Sequence, residues 1–232
     1  MKNILIGFDF SINKPACTIV YNNKFYFFIW PISLPKTDEN IYHICTDVQM
    51  YNRNLKSISK KSKVSSSDMT LEHTKRSVEL ADKILKDILE LVNRIIIQDG
   101  RENVYLCSEG LSFGSKGNSA LDLATYKGVL YAELYKELKP DKVLTFAPIS
   151  IKAIAHCSSK DKVGDKNAMI QAFISENLKS SCFWRLVKDG TLKGNKNYRH
   201  CVDDLVDSYF AVKTMYKKLE LTGVDIWDNQ DQ

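Results

Sequence analysis

Four acidic residues, Asp9, Glu109, Asp204 and Asp207, have the types and spacing to do chemistry together. Asp9 ends the apolar run NILIGFD and Glu109 ends a second one, NVYLCSE, so each is expected at the carboxyl end of a buried strand. If those strands lie side by side and parallel, the two carboxylates emerge at one sheet edge, roughly 4.7 to 4.9 Å apart. Desolvating a charge there costs several kcal/mol unless a cation compensates, and two charges need one more than a single charge does. Taken singly, each acid has a plainer reading: Asp9 caps a turn, and Glu109 meets a lysine or arginine.

A third block of acid lies in HCVDDLVDS, residues 200 to 208, expected within the last helix. At about 100° per residue, His200, Asp204 and Asp207 fall in a stripe of about 60°, with Asp203 just beside it. Like charges on one helical face repel, so a divalent cation between them is an economical explanation; a solvated acidic face is the alternative. Carboxylates without a Cys or His cluster suit Mg²⁺ or Mn²⁺. Two such ions about 3.5 to 4 Å apart would activate a water and stabilise the leaving 3′ oxygen in phosphodiester hydrolysis.

These acids need a scaffold to bring them together. Residues 3 to 9 read as a central strand, and residues 16 to 22 and 24 to 30 flank Asn22 and Asn23 as a hairpin, so three antiparallel strands open the chain. From about 33 to 68 the pattern turns polar and holds the densest basic cluster, Lys56, Lys60, Lys61 and Lys63, which predicts a long mobile excursion. Leu71, Val78, Leu80, Ala81, Ile84, Ile88, Leu91 and Ile95 recur at helical spacing, predicting a helix over about 69–98 capped by Ser67 or Asp68. A strand at 103–109, a helix over about 119–138 and a strand at 142–147 follow. A short helix after Pro148 and helices over about 165–178 and 199–219 complete the chain, with DIWDNQDQ expected loose.

That order, βββαβαβ with helical additions, resembles the ribonuclease H-like one. It predicts an α/β fold with a mixed five-stranded sheet, three antiparallel strands then two parallel, flanked by helices. A single nuclease-type domain over residues 1–222 is expected, with the basic insertion at about 33–68 and a loose acidic tail at 223–232.

Thirty-three Lys and Arg against 28 Asp and Glu leave a net charge of +5, a mild preference for anionic partners such as nucleic acid. A hydrophobic content of 44% with 26% charged residues excludes a disordered or fibrous chain. The six cysteines (Cys17, Cys45, Cys107, Cys157, Cys182, Cys201) include no CxxC pair, so neither a zinc site nor a disulfide framework is signalled. Reduced thiols in a cytoplasmic or other reducing intracellular compartment are expected. No segment is apolar and long enough for a membrane span, and Asp9 comes too soon for a signal peptide.

Four stretches, GFDFS, CSEGLSFGSKGNSALDLATYKGVL, PISIKAI with GDKNAMIQAF, and DDLVDSYFAV, together resemble the ordered motifs of RuvC-type Holliday junction resolvases. The resemblance spans residues 1 to 12 and about 103 to 215. It implies that Asp9 is the first-strand aspartate, Glu109 the fourth-strand glutamate, and Asp204 with Asp207 the closing DxxD pair, these four being both catalytic and metal-binding. Asp203 stays open as an alternative to Asp204. The resemblance also implies a homodimer whose two sites nick opposing strands of branched DNA.

Phe113 falls in the loop after Glu109, where the family places an aromatic that stacks at the branch point, although the loop here is longer. Lys116, Lys152 and Lys166 lie near the matching motifs and would hold phosphates without reading sequence. His200 is a candidate for proton transfer or for orienting a metal-bound water. Rival readings are cleavage of a flap or an RNA/DNA hybrid, a DNA-binding scaffold that has lost catalysis, and an actin or sugar-kinase type ATPase. The last lacks its phosphate loop, because Asp9 is followed by Phe10, Ser11, Ile12 and Asn13.

Overall fold

Strand β1 (Asn3–Asp9) is apolar on both alternating faces because both are covered: Ile4, Leu5, Ile6 and Phe8 are fully buried. Strands β2 (Ala16–Tyr21) and β3 (Lys24–Ile29) continue antiparallel to it and to each other. Asn22 and Asn23 join them at φ 50° and 60°, the left-handed pair that matches a hairpin's twist and that asparagine tolerates. This computed structural model describes residues 3–53, 66–100, 103–110, 118–157, 166–194 and 197–228.

Beyond β3 come α1 (Lys36–His43), β4 (Val48–Met50), α2 (Ser66–Asp99), β5 (Asn103–Glu109), α3 (Asn118–Leu138) and β6 (Lys142–Phe146). The chain continues with α4 (Pro148–Ile154), α5 (Lys166–Ser175), α6 (Cys182–Lys188), α7 (Val202–Lys218) and α8 (Asp225–Asp228). The sheet order is β4-β3-β2-β1-β5-β6, with β1, β5 and β6 parallel. The fold is therefore the mixed α/β, ribonuclease H-like arrangement expected, with β4 added as a sixth, edge strand parallel to β3.

Two apolar clusters sandwich the sheet. Ile4, Ile6, Phe8, Val104 and Leu106 pack with α2 and α3 on one face, while Leu5, Val20 and Cys107 pack with α5, α6 and α7 on the other. Each such side chain contributes about 1.5–3 kcal/mol by leaving water, which makes the helical sandwich the main support of the sheet. Helix α7 is the central piece of the second face: from Val202 to Tyr216 all but Asp203 and Asp207 are buried.

The structure departs from the sequence expectations in four places. The 33–68 stretch is not a free excursion in its first part, since Tyr42 and Val48 are buried and the Tyr42 hydroxyl donates to the His200 carbonyl at 2.6 Å. Lys56, Lys60, Lys61 and Lys63 lie outside the described residues. Helix α6 was not anticipated; it carries the buried Phe183, Trp184 and Val187 and is capped by Ser181 accepting from the Trp184 N–H. The tail is not loose up to Asp228, because Trp227 is fully buried, its indole N–H donates to the Tyr209 hydroxyl at 2.8 Å, and Asp225 and Asn23 exchange two hydrogen bonds. Finally, α7 starts at Val202 rather than near 199, because Cys201 takes a left-handed conformation at φ 71°.

Candidate active site

Strand pairing brings the first two acids together. The parallel register of β1 on β5 sets Phe8 beside Ser108, so the next step places Asp9 beside Glu109 on neighbouring strands. Alternate residues share a sheet face, so Asp9 lies on the face of Gly7, the one that α7 covers.

Gly7 explains how α7 delivers the other acids. A Cβ at this position would lie 2.4 Å from Val212 Cγ2, 2.9 Å from the Val212 nitrogen and 3.0 Å from the Ser208 carbonyl oxygen. Only a residue without a side chain lets the α7 backbone approach β1 this closely. The contact is fastened by a 2.7 Å hydrogen bond between the Thr18 and Ser208 hydroxyls. Asp207, next to Ser208, and Asp203 and Asp204 in the first turn of α7 are thereby aimed at the ends of β1 and β5. Gly7 opens the GFDFS stretch, but its packing role appears only once α7 is seen to cross it.

The electrostatics of the group are those of an unbalanced cluster. Burial first, then the charges of Asp207, Asp204, Glu109 and Asp203, push the Asp9 carboxyl well above the usual carboxylate range. Burial, with Glu109, Asp203 and Asp204, pushes Asp207 up to about 7. Burial also raises Glu109, against the pull of Lys152 and Lys127. Asp204 is raised by burial and by Asp203, against the pull of Lys14. Asp203 is the exception: burial raises it, yet Lys166 and Lys14 together hold it below the ordinary range.

Two lysines stand among these acids. Lys166 donates to Asp203, while Lys14 lies 2.8 Å from Asp204 Oδ2 and 3.9 Å from Asp203 Oδ1. Lys14 thus pairs with Asp204 through an oxygen that is otherwise shielded from solvent. Lys14 was not recognised from the sequence, where nothing distinguishes one loop lysine from another. A cavity of about 150 Å³ opens beside the cluster, lined among others by Glu109, Asp203, Asp207, Lys152 and Lys166. A second, of about 470 Å³, shares Lys166 and Asp203 with it and adds Lys14, Arg199 and His200.

The expected site residues therefore divide. Asp9, Glu109, Asp203, Asp204 and Asp207 converge, and Lys152 and Lys166 line the adjoining cavity. His200 is not on the helical stripe with Asp204 and Asp207: it precedes the left-handed Cys201, and its Nδ1 lies 2.8 Å from Asp38 Oδ2, which Arg199 also approaches through Asp38 Oδ1 at 2.7 Å. Phe113 and Lys116 lie outside the described residues.

The donor set fits a hard divalent cation. It consists of carboxylate oxygens, and burial first, then in most of them the charge of neighbouring carboxylates, raises Asp9, Glu109, Asp204 and Asp207, a rise that a bound cation would offset. The acids are not drawn into a closed cage: among the described residues, the one trio of ligand atoms within 4.8 Å of each other is elsewhere, at Cys45, Asp47 and Cys182. Repulsion between the carboxylates, with Lys14 and Lys166 reaching in, accounts for the open spacing.

No family model and no curated protein matches the chain. Among solved structures it is similar to Thermus thermophilus RuvC, at 10% identity over 95% of this chain and 97% of that one, with a TM-score of 0.45. T. thermophilus RuvC in complex with Holliday junction substrate gives 11% identity over 94% and 96%, with a TM-score of 0.42. The yeast mitochondrial Holliday junction resolvase Ydc2 gives 12% identity over 98% of this chain and 79% of that one, with a TM-score of 0.47.

Proposed function

We propose that this chain is a divalent-cation-dependent endonuclease that resolves four-way junctions or related branched DNA, working as a homodimer that nicks opposing strands. The observation that carries it is the convergence of Asp9, Glu109, Asp204 and Asp207 at one sheet edge, with burial and mutual repulsion pushing Asp207 up to about 7. A cluster so short of positive charge is suited to bind it together with a phosphate. The ordered motifs of the RuvC-type resemblance supply the choice of branched DNA.

Asp9 and Glu109 would hold Mg²⁺ or Mn²⁺ from the sheet side and Asp207 and Asp204 from the helix side, for two ions per site. When bound, the ions supply an activated water and charge stabilisation at the leaving 3′ oxygen. The chain's own part is to fix the acids. Gly7 and the Thr18–Ser208 bond set the height of α7, and Lys127 donates to the Glu109 carbonyl at 3.0 Å, steadying the end of β5. Lys166 pairs with Asp203 and Lys14 with Asp204, so the choice of Asp204 as the ligand of the adjacent pair rests on the three-residue spacing to Asp207 that the resemblance implies, with Asp203 as the alternative. Lys152, Lys166, Lys14 and Arg199 line the two cavities and would hold the phosphates flanking the scissile bond, positioning DNA without reading its bases.

The test incubates purified protein with a labelled four-way junction, a linear duplex, a flap and an RNA/DNA hybrid, in Mg²⁺, Mn²⁺ or EDTA. Paired nicks in the junction arms, absent in EDTA, are expected. Equal cutting of linear duplex would remove the junction claim and spare the nuclease claim; binding of the junction without cutting under any cation would replace both with the scaffold reading.

A further inference from the structure

A second constellation lies away from the acid edge, where the turn between α1 and β4 meets the start of α6. Cys45 Sγ, an Asp47 carboxylate oxygen and Cys182 Sγ all lie within 4.8 Å of one another, although Cys45 and Asp47 are more than 130 residues from Cys182 in sequence. We propose that these three side chains form a binding site for a thiophilic divalent cation of the Zn²⁺ class, distinct from the carboxylate cluster and built from different chemistry.

The spacing is nearly that of a coordinated trio. Ligands about 2.3 Å from a tetrahedral zinc sit roughly 3.8 Å apart when both are sulfur, so only small side-chain movements separate this arrangement from a closed one. The carboxylate is already oriented: Ser181 Oγ donates to Asp47 Oδ2 at 2.5 Å and the Phe183 N–H donates to Asp47 Oδ1 at 2.9 Å. Outer hydrogen bonds of this kind fix a ligating carboxylate in place. The Cys45 thiol itself donates to Asp47 Oδ1 at 3.2 Å, and a cation would replace this proton and that of the Cys182 thiol, both released to solvent. Cys45 is buried and Cys182 is partly open to solvent, so the site has a closed floor and an accessible mouth, with the fourth position left to water.

Two thiolates with one carboxylate select against Mg²⁺ and for zinc, cobalt or cadmium, whereas the all-oxygen acid edge selects the reverse. The two sites can therefore be filled separately. The consequence of filling this one is mechanical: it would clip the short edge strand β4 and helix α1 to α6, a region otherwise joined by apolar contacts and the Asp47 hydrogen bonds.

The experiment titrates Co²⁺ into reduced, EDTA-stripped full-length protein held in excess Mg²⁺, which occupies the acid edge. A sulfur-to-cobalt charge-transfer band with the visible bands of tetrahedral cobalt is expected, saturating at one equivalent and displaced by Zn²⁺. Cys45→Ser and Cys182→Ser should each abolish it, and Cys157→Ser should not. Wild-type protein read by alkylation and peptide mapping gives a second measure that needs no variant: Zn²⁺ should protect Cys45 and Cys182 while leaving the labelling of other accessible thiols unchanged. Absence of the band, its survival in both variants, unprotected thiols, or a Cys45–Cys182 disulfide forming in air without metal uptake would overturn the proposal. None of these results depends on nuclease activity.

Discussion

Helix α7 carries two charged clusters that were settled in opposite ways. Near its carboxyl end Lys213, buried, lies 2.7 Å from both oxygens of Glu176, just past the end of α5, and the Tyr209 hydroxyl donates to the same carboxylate at 2.8 Å. Every charge there has its opposite. At the amino end of the same helix, Asp203, Asp204 and Asp207 face Asp9 and Glu109; Lys14 and Lys166 pair with Asp204 and Asp203, Lys152 and Lys127 pull on Glu109, and yet Asp9, Glu109, Asp204 and Asp207 all stay raised. A matched buried pair is architecture that folding alone explains, whereas a mismatched cluster at a cavity is maintained against its own repulsion. The contrast, rather than burial of charge as such, marks the functional end of the helix.

The largest effect should come from neutralising the mismatched cluster. Asp9→Asn and Glu109→Gln are expected to lower junction cleavage by several orders of magnitude in single-turnover assays while leaving the melting temperature equal or higher, since each removes a like charge. A loss of stability comparable to breaking the matched pair would erase the distinction between the two clusters. Lys213→Met is the converse: it strands Glu176, and chemical denaturation should show a loss of about 3–5 kcal/mol. If Asp207→Asn costs as much, the amino-terminal cluster is structural too.

Cations and pH sharpen the contrast with smaller shifts. Mg²⁺ at about one hundred times its dissociation constant should stabilise the wild type by about 2.7 kcal/mol in denaturant melts, and an Asp9→Asn, Glu109→Gln double variant by much less. Without divalent ions, Asp207 gives the cluster an acid-side preference. Its folded value of about 7 lies above the unfolded value near 3.9, so the folded state holds the proton more tightly. That stabilisation is complete below about pH 4 and is lost as pH rises through about 7. Asp207→Asn should flatten this part of the stability profile; an unchanged slope would mean that Asp207 is not the group held out of ionisation.

Much of the acid edge was legible in the sequence because strands that end on acids obey a simple period, and β1 and β5 pair with the register their apolar runs imply. The helix spacing of Asp204 and Asp207 was equally readable, since both lie inside α7. What escaped was set by packing. Strand β4 has three residues, too few to show a period, and α6, although Phe183, Trp184 and Val187 alternate with exposed Arg185 and Lys188 at helical spacing, has only seven residues, two turns over which that period is easily missed. His200 was projected onto the helix because nothing in HCVDD announces a left-handed cysteine. Gly7 and Lys14 matter only through α7 and the acids they meet, contacts between residues far apart in the chain. The same holds for Cys45, Asp47 and Cys182, which no local spacing connects.

The central claim is that the carboxylates at the ends of β1 and β5 and the start of α7 hold a divalent cation. Mn²⁺ binding followed by loss of the free-ion electron paramagnetic resonance signal tests it directly, in wild type and in the Asp9→Asn, Glu109→Gln double variant. Saturable binding in the wild type that disappears in the double variant, with both proteins equally folded, is the predicted result. Binding of the same strength in both would place the cation elsewhere and contradict the site.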